Sequence, residues 1–312
     1  MFSQASGPKV AILLCTYDGA RYLAEQLDSH AAQTVAHWEV QVSDDGSRDA
    51  TRAILEARRA AWGAGRLRIH QGPARGFAAN FLSLVCRPEL EADFFAYSDQ
   101  DDIWHADKLE RALRWLQSVP ADVPALYCAR TRLVDAAGHA TGLSPWFSRP
   151  TGFANALLQN VASGNTMVFN GAARRLLQEA GQDVDVAAHD WWTYMVVTGC
   201  GGQVLCDAQP ALDYRQHDTN VIGMNGGWGA RVERIRMLWQ GRFRRWNDGH
   251  VAALERLAHR LTPENREILG HFRTLREVGL LGRIIHFKRS GIYRQTFLGN
   301  IGLVAAVVFK KL

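Results

Sequence analysis

Residues 10–19 read Val-Ala-Ile-Leu-Leu-Cys-Thr-Tyr-Asp-Gly, an apolar run that stops on a polar turn. An unalternated apolar run of this length fits a strand covered on both faces, as in a parallel sheet. Beyond it, residues 20–33 carry Tyr22, Leu23, Leu27 and Ala31 near a 3.6-residue period, which predicts a helix. The alternation then repeats. A strand over 38–43 stops at Asp44-Asp45-Gly46-Ser47, and a helix runs over 49–62. A short strand over 67–70 leads to the loop 72–76 and a helix over 77–86. A strand over 93–98 ends on Asp99-Gln100-Asp101-Asp102. Strand, loop and helix in repetition predict an α/β fold with an open sheet and helices on both faces. Right-handed crossovers gather the loops after the strands at one edge, where such folds take ligands. The polar residues of the first third fall on those loops.

Farther along, a strand is expected within 125–134, another over 166–169, a helix over 190–197, and short strands over 203–205 and 212–214. From Trp228 the pattern is mainly helical and rich in arginine (Arg231, Arg234, Arg236, Arg242, Arg244, Arg245), so a composition shift near 225 divides 1–225 from a basic helical region, 226–312. Residues 297–309 are apolar but far fewer than the roughly 20 needed to span a bilayer. Lys288, Arg289, Arg294, Lys310 and Lys311 flank them, and both a core-packing helix and one lying on an anionic membrane remain open.

With 312 residues, 47% of them hydrophobic and 21% charged, the chain has the composition of a globular protein and can bury a sizeable core. A net charge of +5 is compatible with phosphorylated ligands or anionic lipid and does not by itself choose a partner. The five cysteines include no C-x-x-C pair, which excludes common zinc spacings; they are expected as buried thiols in a reducing compartment. The short polar stretch before residue 10 carries no secretory-signal pattern, so a cytoplasmic protein is expected.

Three carboxylates in four positions, Asp99, Asp101 and Asp102, repel one another at a strand end and call for a cation or strong donors. Hard oxygen ligands suit Mg2+ or Mn2+; a solvated turn capping the next helix is the alternative. Asp44 and Asp45 can accept from a pyrimidine imide or from ribose hydroxyls, or can serve as turn and cap residues. Asp190 opens a helix, where an acid is favoured by the dipole and where a base is also well placed. Trp191 and Trp192 beside it can offer a flat face to a sugar ring, although adjacent helical residues cannot share one face. In Tyr214-Arg215-Gln216-His217, the planar fork of Arg215 suits a diphosphate and His217 can donate or ligate metal. The glycines at 223, 226, 227 and 229 fit a lid or a plain connector. Residues 72–76 lack the spacing of a phosphate loop.

Four blocks in order, CTYDGARYLAEQLDS (15–29), VSDDGSRDAT (42–51), GFAANF (76–81) and YSDQDDIWHADKLE (97–110), together resemble family 2 glycosyltransferases of the GT-A fold. The resemblance covers about residues 9–225 and points to the bacterial branch containing rhamnosyltransferases of cell-surface polysaccharide synthesis. It implies an inverting enzyme that uses a nucleotide-diphospho-sugar donor, with dTDP-L-rhamnose foremost and UDP-hexoses open, and a saccharide or lipid-linked acceptor. Nucleic acid is not an implied partner. Under it, Thr16, Tyr17, Asp44, Asp45, Arg75 and Asn80 would border the nucleotide, and Arg215 the diphosphate. Asp99 would face ribose or metal, Asp101 and His217 would bind Mg2+ or Mn2+, and Gly164 and Asn165 would line the sugar or acceptor pocket with the two tryptophans. Asp190 would be the general base; His189 stands where the family commonly has Glu. Two other readings are a nucleotide-sugar-binding protein without catalysis and a sugar nucleotidyltransferase.

Overall fold

The computed structural model describes residues 7–63, 65–216 and 242–312. The first strand, β1 (Val10–Thr16), is buried throughout and lies inside the main sheet, parallel to β2 (Trp38–Asp44) on one side and β4 (Phe94–Ser98) on the other. β3 (Leu67–Gln71) extends the sheet beyond β2. Helices α1 (Leu23–Ala31), α2 (Thr51–Trp62) and α3 (Phe77–Val85) alternate with these strands as the apolar periodicity predicts. Among the described residues the sheet has seven strands in the order β10-β6-β9-β4-β1-β2-β3, completed by β6 (Ala125–Ala129), β9 (Val168–Asn170) and β10 (Gln203–Asp207). β9 runs antiparallel to both β4 and β6, so a reversed strand sits inside an otherwise parallel sheet.

Alternate residues of β1 feed two cores. Ala11, Leu13 and Cys15 pack with α3, α5 (Phe153–Ala156), α6 (Gly171–Ala180) and α7 (His189–Gly199). Val10, Ile12 and Leu14 pack with α1 and α4 (Lys108–Leu116). This is the period-two consequence of a strand covered on both faces. The C-terminal helices α8 (Arg242–Arg256) and α9 (Pro263–Leu275) send Val251, Leu254, Leu269 and Phe272 into the first core, joined by Leu257 just after α8. The start of α9 is fixed by Thr262, whose side chain accepts from the Asn265 N–H, with Pro263 at the first helical position. α10 (Leu280–Ser290) and α11 (Phe297–Val308) follow.

A smaller sheet, β5-β11-β7-β8, is built from β5 (Ile103–Trp104), β7 (Arg132–Val134), β8 (Ala140–Leu143) and β11 (Leu212–Arg215). The strand expected within 125–134 is thus two strands belonging to different sheets. The cysteines are free thiols, and Cys128 and Cys206 meet across β6 and β10 with their sulfurs 3.0 Å apart.

Candidate active site

The loops that follow β1, β2 and β3 are knitted together by side chains. Thr16 donates through Oγ1 to Asp44 Oδ1 at 2.9 Å, and Ser47 donates to the same carboxylate through Oγ and N. Asp18, with φ at 46° in the left-handed region that Asp tolerates, accepts the Arg48 N–H at 2.7 Å. Asp45 accepts the backbone N–H groups of Ala74 at 2.6 Å and Gly76 at 3.0 Å, which shapes the third loop. Gly72 is required there, since a Cβ would lie 2.7 Å from both Asp45 Oδ1 and Asn80 Oδ1. Asn80 is buried and donates to the Ser43 carbonyl at 3.0 Å, while its Oδ1 has no partner among the described residues. Tyr17 presents its ring to solvent at 57% exposure. Arg75 lies outside this knot, paired with Asp183 at 3.0 Å on the surface.

The acidic turn after β4 joins the same knot. The Gln100 side chain accepts the Tyr17 N–H at 2.9 Å and donates to the Tyr17 carbonyl at 3.0 Å. Asp102 is buried; its Oδ2 accepts from Asn165 Nδ2 at 2.7 Å and its Oδ1 has no partner among the described residues. Beneath it the fully buried Lys108 donates to the Asn165 carbonyl at 2.6 Å and rests over the Trp104 ring, 3.1 Å from its centroid. Burial raises the Asp99 carboxyl to about 7, and the charges of Asp101 and Asp190 push the same way while Lys108 opposes. Asp102 is held well above the ordinary carboxylate range by burial first, then by Asp101 and Asp99.

No cluster of three or more His, Cys, Asp or Glu side chains is arranged to hold a metal by itself among the described residues. The turn nevertheless fits a hard divalent cation that completes its shell with diphosphate and water: its acids are crowded and an Asp102 oxygen is orphaned. His217, expected as a ligand, lies outside the described residues, as does the glycine-rich segment 220–229.

Arg215 is buried, and its guanidinium already has partners. Nη2 pairs with Glu25 at 2.5 Å, Nε donates to the Asp101 carbonyl at 3.3 Å, and the group stacks over the Tyr22 ring. It sits behind the acidic turn and holds its backbone.

Asp190 begins α7 facing that turn. Its Oδ2 accepts the Gly164 N–H at 3.0 Å and its Oδ1 accepts the N–H of Trp191 at 2.7 Å. Burial raises its carboxyl above the usual value, and these backbone hydrogen bonds hold it back. His189 is buried, stacked on Phe81 with centroids 3.8 Å apart, and neither ring nitrogen has a hydrogen-bond partner among the described residues. Burial lowers its pKa to about 3, so the ring is neutral. The tryptophans correct an expectation. Trp191 is 8% exposed and Trp192 0%, both packed into the first core, so neither offers an open face to a sugar. The reason is that α7 is covered all round, from His189 through Gly199 apart from Asp190.

The structure brings Thr16, Asp44, Asp45, Asn80, Asp99, Asp101, Asn165, Gly164 and Asp190 to one sheet edge through linked loops, with Arg75 at the rim. Glu25, Gln100 and Lys108 are parts of the site that sequence reasoning missed. Lys108 was detectable, because it falls on the apolar stripe of α4 with Leu109, Ala112, Leu113 and Leu116.

The model for glycosyl transferase family 2 matches residues 11–179, more than half of the chain and including every loop but the one bearing Asp190. The chain belongs to this family. A dTDP-rhamnosyl transferase, RfbG of Shigella flexneri, is 27% identical over 236 residues, 71% of this chain and 78% of that protein. Among solved structures, TarS of S. aureus in complex with UDP-GlcNAc superposes with a TM-score of 0.51 at 17% identity, covering 91% of this chain and 93% of that one. The mannosyltransferase PcManGT from Pyrobaculum calidifontis, in complex with GDP-Man and Mn2+, gives a TM-score of 0.52 at 19% identity over 97% and 80% of the two chains. The fold is thus that of the GT-A glycosyltransferases, and this family 2 member is a glycosyltransferase; the nucleotidyltransferase reading falls away.

Proposed function

We propose that this glycosyltransferase moves a sugar, L-rhamnose from dTDP-L-rhamnose foremost, to a saccharide or lipid-linked acceptor in the cytoplasm, with inversion at the anomeric carbon. The observation that carries it is the position of Asp190, a carboxylate of raised proton affinity held by the Gly164 N–H opposite the acidic turn. In this reading Asp190 takes the proton from the acceptor hydroxyl as its oxygen attacks the anomeric carbon. The bond from that carbon to the diphosphate breaks on the opposite face, and the configuration inverts. Thr16, Tyr17, Asp44, Asp45 and Asn80 form the wall for base and ribose, with Arg75 at its rim. Asp101 and Asp99 would hold Mg2+ or Mn2+, which supplies charge neutralisation to the departing diphosphate. Arg215 steadies the Asp101 backbone. The choice of donor rests on the Shigella relative's name and on the four sequence blocks.

Asp190→Asn is expected to lower turnover about 10²–10⁴-fold, the usual worth of a general base. Thermal shifts by dTDP, UDP and GDP with Mn2+ should single out one nucleotide, dTDP, and should survive in this variant. The shift should vanish in Asp101→Ala. Turnover by Asp190→Asn within a factor of ten of the native enzyme places the base elsewhere, and a shift with UDP alone replaces the donor.

A further inference from the structure

Ten of the thirteen large hydrophobic side chains exposed among the described residues belong to α10, α11 and the residue after α11. In α10, Leu280, Leu281, Ile284 and Ile285 lie in solvent, and Lys288 and Arg289 continue the same spacing into the last turn. In α11, Phe297, Leu298, Ile301, Val304 and Val308 face outward, followed by Phe309, while Leu303, Ala306 and Val307 face the core. Residues three, four and seven apart share a helical face, so each helix leaves one apolar stripe uncovered by the described residues. The helices pack against each other, and Arg283 fastens the end of α11 by donating to the carbonyls of Val307 at 2.8 Å and Val308 at 2.7 Å. Single exposed hydrophobics are ordinary; two neighbouring stripes mark a surface that something covers.

Charge decides what covers it. Residues 278–312 contain no Asp or Glu and six cations, Arg283, Lys288, Arg289, Arg294, Lys310 and Lys311. A second copy would set this positive surface against its like, whereas an anionic leaflet supplies the opposite charge. The 12 residues of α11 reach about 18 Å at 1.5 Å each, short of a hydrocarbon core of about 30 Å. No helix among the described residues is long and apolar enough to cross a membrane. We propose that α10 and α11 together form a foot that lies in the interface of an anionic bilayer, apolar stripes toward the acyl chains and lysines and arginines among the headgroups. The proposal is independent of which sugar the enzyme transfers.

Flotation of the full chain with vesicles tests it. The chain should float with phosphatidylcholine vesicles containing phosphatidylglycerol, much less with phosphatidylcholine alone, and less again in high salt. Leu281→Ser/Phe297→Ser/Leu298→Ser should lower the partition at least about tenfold, since it removes three side chains whose burial drives insertion. Lys288→Glu/Arg289→Glu should remove the preference for phosphatidylglycerol. Both variants should keep the native melting temperature and nucleotide binding, because the altered side chains lie outside the core. Equal flotation of native chain and triple variant, or indifference to phosphatidylglycerol, overturns the proposal. So does a dimer in sedimentation equilibrium that the triple variant dissociates, which would assign the surface to a second copy.

Discussion

At Gly164 an added Cβ would stand 2.9 Å from Nε2 of His189 and 3.0 Å from Cβ of Asp190, while the same residue's N–H holds the Asp190 carboxylate. Both neighbours are anchored, His189 by stacking on Phe81 and Asp190 by the start of α7, so the clash falls on the carboxylate's aim. Gly164→Ala is expected to lower kcat at least about tenfold, the scale of a displacement well under 1 Å, with donor affinity unchanged. Steady-state kinetics beside a nucleotide titration separates the two. That residues 163–166 lead into a strand was legible, and so was Asp190 as an acid in the first turn of a helix. The link between Asn165 and Asp102 was not, because a side-chain amide 63 positions away in sequence leaves no spacing to read. Arg215 shows the same limit: its residue type suits a phosphate, but its neighbours Glu25 and the Asp101 carbonyl arrive through tertiary folding.

Among the elements, α4 carries the largest departure from its own pattern. Its inward face is Leu109, Ala112, Leu113 and Leu116, yet Lys108 occupies the first turn of that stripe and is wholly buried. Burial drives its ammonium well below the usual pKa, and Asp102 and Asp99 draw it back. Lys108 is the donor to the buried Asn165 carbonyl, and a buried acceptor left without its partner costs about 1–3 kcal/mol. Lys108→Met should therefore destabilise the fold by about 1–3 kcal/mol, read as a lowered urea midpoint with an unchanged slope. Asp102→Asn in the same chain should recover part of that loss. The alternating strands and helices of the first hundred residues could be read because buried parallel strands and amphipathic helices write their periods into the sequence. α6 was overlooked although Ala172, Ala173, Leu176, Leu177 and Ala180 form a regular stripe. The reversal of β9 was not readable, since a short apolar strand is spelled alike in either direction.

For the molecule as a whole, three buried imidazoles among the described residues set a limit on acid stability. Burial lowers His30 and His189 to about 3 and His250 to about 4. In the unfolded chain each titrates near 6.5. Between those values the unfolded state binds more protons, so stability is complete above about pH 6.5 and is lost as pH falls toward the folded values. At pH 5 the loss is about 2 kcal/mol for each ring. Denaturant unfolding at pH 7 and pH 5 should show it, and His250→Gln, which keeps an acceptor for the Ala187 N–H, should shrink the difference by about 2 kcal/mol.

The clamp between Gln100 and the Tyr17 backbone leaves no room beside it. A Cβ on residue 19 would fall 2.1 Å from the Gln100 amide oxygen, so the glycine and the glutamine occupy one shared volume on two loops. A larger residue at 19 displaces the amide, and a shorter one at 100 frees the Tyr17 backbone from the acidic turn. Drift in this transferase is expected to cross that spot by coupled replacements, so that descendants changing one position have changed the other as well.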